Sequence, residues 1–236
     1  FGKTAVVWAV AEIPLFLNLG ALAAGVGIFY VKTFYGTKDL FDRFAVRYRI
    51  PKYCKPVLGA FLIGVLIIVL SYLSPETMIV GMASLGSGYG FVQMAMYNML
   101  PLSVLILLPF VKTITTSLTI GSGGSGGVFA PGLAVGGFAG GAFGMFLHLI
   151  LPDLVPLATV PAFVIVGMLA LFGGIAHAPL AIMIMVLEMT GDFSLFVPAM
   201  GAVAVAYLLI GKQTIFHEQR LRRELPEEYW DGPHTK

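Results

Sequence analysis

Long apolar runs interrupted by short polar clusters organise this chain. The runs cover residues 15–31, 57–72, 102–120, 128–151, 162–174, 178–190 and 195–210. They are too long and too continuous for strands, so each predicts a helix. A shorter run, 90–100, predicts a half-length helix after the glycine-rich turn 86–90. Charges avoid the runs. Between Pro56 and Val111 only Glu76 is charged, and between Thr113 and Gly211 only Asp153, Glu188 and Asp192. This segregation predicts an all-α, polytopic membrane protein, because in lipid each span must satisfy its own backbone polar groups. The ten-residue alternation of a transmembrane β-barrel is absent.

The polar clusters orient the spans. Residues 32–55 hold Lys32, Lys38, Arg43, Arg47, Arg49, Lys52 and Lys55 against Asp39 and Asp42, and the tail holds Lys212, Arg220, Arg222 and Arg223. The positive-inside rule predicts that the 32–55 loop and the tail are both cytoplasmic. The chain must then cross the membrane an even number of times between residues 56 and 211. The stretch 162–190 decides the parity, since it is broken at Gly173-Gly174 and again at His177-Ala178-Pro179. As one helix it gives five crossings, and as two it gives six. Each half then has about 13 residues and reaches about 20 Å, short of an apolar core of about 30 Å. Short, interrupted helices belong to transporters that end half-helices beside a cavity inside the membrane.

Composition sharpens the class. Hydrophobic residues make up 58% of the 236 and charged residues 11%, with a mean hydropathy of +0.92; a soluble domain carries about 25% charged residues. The formal net charge of +2 sits beside membrane runs and forms no basic face, which argues against nucleic acid as a partner. A single cysteine, Cys54, leaves no internal disulfide and no multi-cysteine metal site. The chain begins with Phe and no signal-peptide pattern precedes the first run, so a preceding segment of a longer protein is expected.

The sharpest chemical feature is Gly121-Ser122-Gly123-Gly124-Ser125-Gly126-Gly127-Val128-Phe129-Ala130-Pro131. Seven residues of glycine and serine end one helix, and another starts directly afterwards with Pro131 in its first turn, where a missing N–H costs nothing. A helix start carries unpaired N–H groups and roughly half a positive charge. A glycine-rich approach lets an anion come close to those amides. Partial charges of this kind attract a halide without trapping it. A plain flexible turn is the competing reading of the same string.

Gly127-Val128-Phe129-Ala130-Pro131 matches the G-x-F-x-P signature of the CLC family of chloride channels and proton/chloride exchangers. Gly88-Tyr89-Gly90, Ala178-Pro179-Leu180 and Glu188-Met189-Thr190 follow the family in register, and the resemblance runs from about residue 15 to about 216. It implies a CLC-type inverted-repeat fold with broken half-helices, of which this chain is the second repeat. It also implies a homodimer with a separate ion path in each subunit, an integral membrane location, and no enzymatic activity. No cofactor and no metal are implied; chloride is the substrate, with protons as a second substrate in exchangers. The expected anion site is the backbone amides of Gly127, Val128, Phe129 and Ala130, lined by Pro131 and Phe216. Phe216 stands where the family places a tyrosine whose hydroxyl completes the central site, so one hydrogen bond is expected to be missing. The family's G-S-G-x-P and G-[K/R]-E-G-P strings, the second carrying the gating glutamate, do not occur. They belong to a first half that is expected to precede residue 1. Channel, proton/chloride antiporter, fluoride-selective member and non-transporting half-subunit all stay open.

The remaining polar residues read more modestly. Gly132, Gly136, Gly140 and Gly144 lie on one helix face, with Gly137 and Gly141 beside it, and predict close helix packing. Glu188 and Thr190, near the end of their half-helix, are expected at an interface, the family's dimer contact included. His177 is expected to be simply hydrogen-bonded, and His148 to lie near the membrane surface. Lys112 either snorkels to the surface or raises local chloride near an anion path. An intramembrane serine protease built from Ser122 or Ser125 with His148 or His177 is disfavoured, because nothing in the spacing brings base and nucleophile together. Residues 218–230 predict a short charged helix, ended by Leu225-Pro226.

Overall fold

The computed structural model describes residues 8–49, 51, 53–191 and 193–217. Nine α-helices carry the fold among these residues: α1 (Ile13–Tyr48), α2 (Cys54–Leu73), α3 (Pro75–Ala83), α4 (Tyr89–Met96), α5 (Leu102–Gly121), α6 (Phe129–Ile150), α7 (Val160–Ile175), α8 (Pro179–Thr190) and α9 (Phe196–Ile210). Six apolar helical stretches are long enough to cross a membrane: Val10–Tyr48, Cys54–Leu73, Leu102–Gly121, Phe129–Ile150, Leu157–Ile175 and Phe193–Ile210. The approach segment 1–14, expected to be the end of a preceding membrane helix or a loop, lies partly outside the described residues, and the predicted helix 218–230 lies wholly outside them. Of the former, a 3-10 turn, Val10–Glu12, leads straight into α1. Residues 212–217, ahead of the predicted helix 218–230, form turns and irregular backbone.

The axis of the molecule is α7. All sixteen of its residues are buried, and α1, α6, α8 and α9 pack around it. The α6–α7 contact is the most extensive, and the glycine stripe explains it. A Cβ on Gly167 of α7 would collide with the Gly136 carbonyl, and one on Gly140 would collide with the Phe163 carbonyl. The two backbones therefore touch directly, as small residues permit. Gly132 and Gly144 meet the rings of Phe172 and Phe163 in the same seam. Across α7, Phe16 of α1 stacks on Phe163 with ring centroids 4.5 Å apart.

Helix α1 corrects an expectation. Residues 32–48, read as part of a cytoplasmic loop, continue the helix to Tyr48. Apolar positions recur through them at helical spacing, so Phe34 and Phe41 stay buried beyond the hydrophobic run. No proline intervenes before Pro51. The helix stops at Arg49, which takes a left-handed conformation with φ 51°. Only a short connection remains, and Lys55 at the start of α2 pairs with Asp42 of α1 at 2.5 Å across it.

The segment 162–190 is two helices, as the Ala-Pro pair predicts, although Gly173 and Gly174 stay helical within α7. The break lies at 176–178. His177 is left-handed with φ 53°, Ala178 is driven out of the helical region by the following proline, and Pro179 opens α8. Helix α3 has no counterpart in the sequence reading. It is started by a capping box in which Ser74 and Thr77 exchange hydrogen bonds, with Pro75 in the first turn.

Candidate functional site

The glycine–serine run builds two helix ends in seven residues. Helix α5 closes with the Gly123 amide donating to the Ile120 carbonyl at 2.9 Å and the Gly124 amide to the Thr119 carbonyl at 3.0 Å. Gly123 has φ 92°, and a Cβ on Gly124 would lie 2.5 Å from the Thr119 oxygen. This is the Schellman arrangement, and glycine is needed at both places. The chain then turns and starts α6 with Val128 as its N-cap, which supplies no capping side chain. The first amide of this end to find an acceptor is Gly132, which donates to the Val128 carbonyl at 3.0 Å. The amides of Val128, Phe129 and Ala130 have no acceptor among the described residues. Tyr30 of α1, fully buried, donates its hydroxyl to the Val128 carbonyl at 3.1 Å and fixes the height of the helix start.

A cavity of about 490 Å³ lies against this end, between α5, the α3–α4 turn and one residue of α2. Of the predicted site residues, Gly127, Phe129, Ala130 and Pro131 line it; Val128 lies behind them against the core. Phe216, expected from the resemblance to line the site, lies outside the cavity and is 44% exposed. Its neighbour Ile215 is the anchored residue. The Ile215 amide donates to the Ile175 carbonyl at 3.0 Å, and its carbonyl accepts from the Tyr35 hydroxyl at 2.7 Å. Tying Ile215 inward leaves Phe216 facing out.

The opposite wall comes from residues the sequence reading left undecided or passed over. Lys112 is 1% exposed, and its ammonium donates to three carbonyls, Gly86 at 2.6 Å, Ser84 at 2.9 Å and Leu85 at 3.4 Å. It neither snorkels nor hangs free. It caps the carbonyl end of α3 and ties α5 to the turn that starts α4. Gly88, the first residue of the Gly88-Tyr89-Gly90 motif, packs against it: a Cβ there would lie 3.4 Å from the lysine Cε and 3.0 Å from Ala134 of α6. Thr115 adds a hydrogen bond to the Ser84 carbonyl at 3.1 Å. Lys112, Thr115, Thr116 and Thr119 all line the cavity. Their i, i+3, i+4, i+7 spacing is a polar stripe on one face of an apolar span, and that periodicity was the readable signal.

The other candidates are dispersed. Glu188 is exposed on the outer face of α8, and Thr190 returns its hydroxyl to the Val186 and Leu187 carbonyls at 3.0 and 3.2 Å. His148 bonds the Val155 carbonyl through Nδ1 at 2.9 Å. His177, expected to be hydrogen-bonded, instead sets its ring edge against Tyr207 at 5.4 Å, and its Nε2 is buried without a partner among the described residues. Ser122 donates to the Thr119 carbonyl at 3.0 Å. Neither histidine is hydrogen-bonded to a serine.

Fold and site together define an integral, multi-pass helical membrane protein with a bare helix start inside its apolar body. A family model of voltage gated chloride channels matches residues 1–211, and the chain belongs to that family. It is 33% identical over 227 residues to an H(+)/Cl(-) exchange transporter ClcA of Vibrio parahaemolyticus, covering 90% of this chain and 45% of the relative. It is 32% identical over 203 residues to the ClcA of Yersinia pestis, covering 84% and 40%. A solved structure of a slow cyanobacterial Cl-/H+ antiporter shares the fold with a TM-score of 0.70 at 24% identity, over 91% of this chain and 48% of that one. The chain thus spans less than half the length of these relatives.

Proposed function

We propose that this chain supplies the second-repeat wall of an anion pathway in a chloride-transporting membrane protein. The observation that carries the reading is the start of α6, where the adjacent amides of Val128, Phe129 and Ala130 lack acceptors among the described residues and Phe129 and Ala130 line a cavity. In an apolar medium such amides need a partner, and an anion at a helix N-terminus is the partner they suit best. The glycines at 126 and 127 leave the approach clear of side chains.

The names of the similar proteins favour proton/chloride exchange over passive conduction. A homodimer fits the outer face of α8, where Leu180 and Ile184 are 64% and 51% exposed beside Glu188. A cytoplasmic position for the α1–α2 connection fits its exposed basic residues. The deciding experiment reconstitutes the full-length protein in liposomes and measures chloride flux with and without a proton gradient. Chloride movement that drives protons uphill makes it an exchanger, and movement without protons makes it a channel. No flux of chloride or fluoride overturns the proposal.

A further inference from the structure

We propose that the cavity beneath α6 is a station for a hydrated small anion, held at the Thr116 hydroxyl and separate from contact with the α6 amides. The inference rests on the reading of α6 as an anion-facing helix start and adds a second place for the ion. Thr116 is 6% exposed and lines the cavity, and its hydroxyl makes no hydrogen bond among the described residues. Its neighbours on the span behave differently: Thr113, Thr115, Ser117 and Thr119 each return their hydroxyls to a carbonyl. A threonine that forgoes this bond, in a span where the carbonyl of residue i−4 lies within reach, has its donor free for something in the cavity.

The sign of that ligand follows from the walls. Lys112 sits one helical turn before Thr116, and no acidic residue lines the cavity. The lysine spends its three donors on the carbonyls of residues 84–86. It therefore cannot follow an ion, but its charge still raises the potential in a site of low dielectric. The α6 amides add their partial charge from the other side. An anion is favoured, and a cation is opposed twice.

Size argues for an ion that keeps its water. At about 30 Å³ per molecule, the volume holds on the order of 15 waters. One free buried hydroxyl cannot replace a hydration shell. The ion therefore waits here partly hydrated and loses water only on reaching the α6 amides. The ligand class is a halide or another small monovalent anion.

Crystals of the full-length protein soaked in bromide test this by anomalous scattering, with wild type, Thr116→Val and Thr116→Ser compared. The expected wild-type map shows bromide within hydrogen-bond reach of the Thr116 hydroxyl in addition to bromide at α6. Thr116→Val should lose the first peak and keep the second, and Thr116→Ser should keep both. In liposomes, Thr116→Val should raise the half-saturating chloride concentration about tenfold, the scale of one hydrogen bond to a charged group, with Thr116→Ser near wild type. Bromide at α6 but not at Thr116 overturns the station and leaves the α6 reading standing. Bromide at neither place overturns both. A Thr116→Val protein that binds and transports like wild type also overturns the station. Should that variant fail to fold, the wild-type map decides alone.

Discussion

Helices α5 and α7 belong to spans that are similarly apolar, with mean hydropathies of 1.7 for Leu102–Gly121 and 2.1 for Leu157–Ile175, yet they serve opposite ends. Protein surrounds α7 on every side. It carries no charged residue, and its glycine Gly167 meets Gly136 and Gly140 of α6 backbone to backbone. Helix α5 exposes one apolar face, with Ile106, Leu107 and Phe110, and it turns Lys112, Thr115, Thr116 and Thr119 toward a cavity. The scaffold helix holds its place by shape alone, because lipid gives no hydrophobic reason for two apolar helices to associate. The site helix tolerates polar groups only because each has a carbonyl, or a cavity, to address. Hydropathy alone does not separate the two roles.

Substitutions along these helices break the contrast by different amounts. The largest effect is expected at Gly140→Val, where the new side chain meets the Phe163 carbonyl. Overpacking against backbone should cost about 3 kcal/mol or more, seen as a lost or sharply lowered unfolding transition in detergent. Next comes Lys112→Met, which leaves the carbonyls of Ser84, Leu85 and Gly86 without their donor. A loss of about 2–3 kcal/mol is expected from hydrogen bonds to a charged group. Lys112→Arg should recover part of it, which thermal unfolding of the pair would show. Tyr30→Phe should cost about 1 kcal/mol. It removes the bond to the Val128 carbonyl that sets the α6 start, so chloride affinity by calorimetry should also fall. The smallest effect is expected on α2, whose outward residue Phe61 is 66% exposed. Phe61→Leu should change the unfolding midpoint by no more than a substitution of about 0.5 kcal/mol. A large shift there would mean that α2 is packed against protein and not against lipid.

Much of the site was legible in local sequence because its logic is local. The glycine–serine run must end one helix and start another, and a proline in the first turn of α6 marks where the second begins. The glycine stripe 132–144 announced close packing without naming its partner. That Phe216 lies outside the cavity was not legible, since side-chain direction in a non-helical stretch is set by what anchors its neighbour. Here that is Tyr35, 180 positions away from Ile215. The length of α1 was missed because charge was read as a boundary, whereas a helix surrounded by partners keeps going while one face stays apolar. The threonines of α5 were overlooked because a hydroxyl on an apolar helix ordinarily returns to its own backbone.

Sequence by itself determined that this chain is a multi-pass membrane protein of apolar helices and that a helix starts just after Gly127. Those properties depend on residues adjacent along the chain and on the solvent around it. Only the tertiary structure decided that α7 would be the buried axis, that Lys112 would be locked onto the carbonyls of residues 84–86, and that Thr116 and the start of α6 would line one cavity. Each of these depends on which distant backbone comes close. In lipid that proximity follows from the mutual fit of surfaces, which no single stretch of sequence contains.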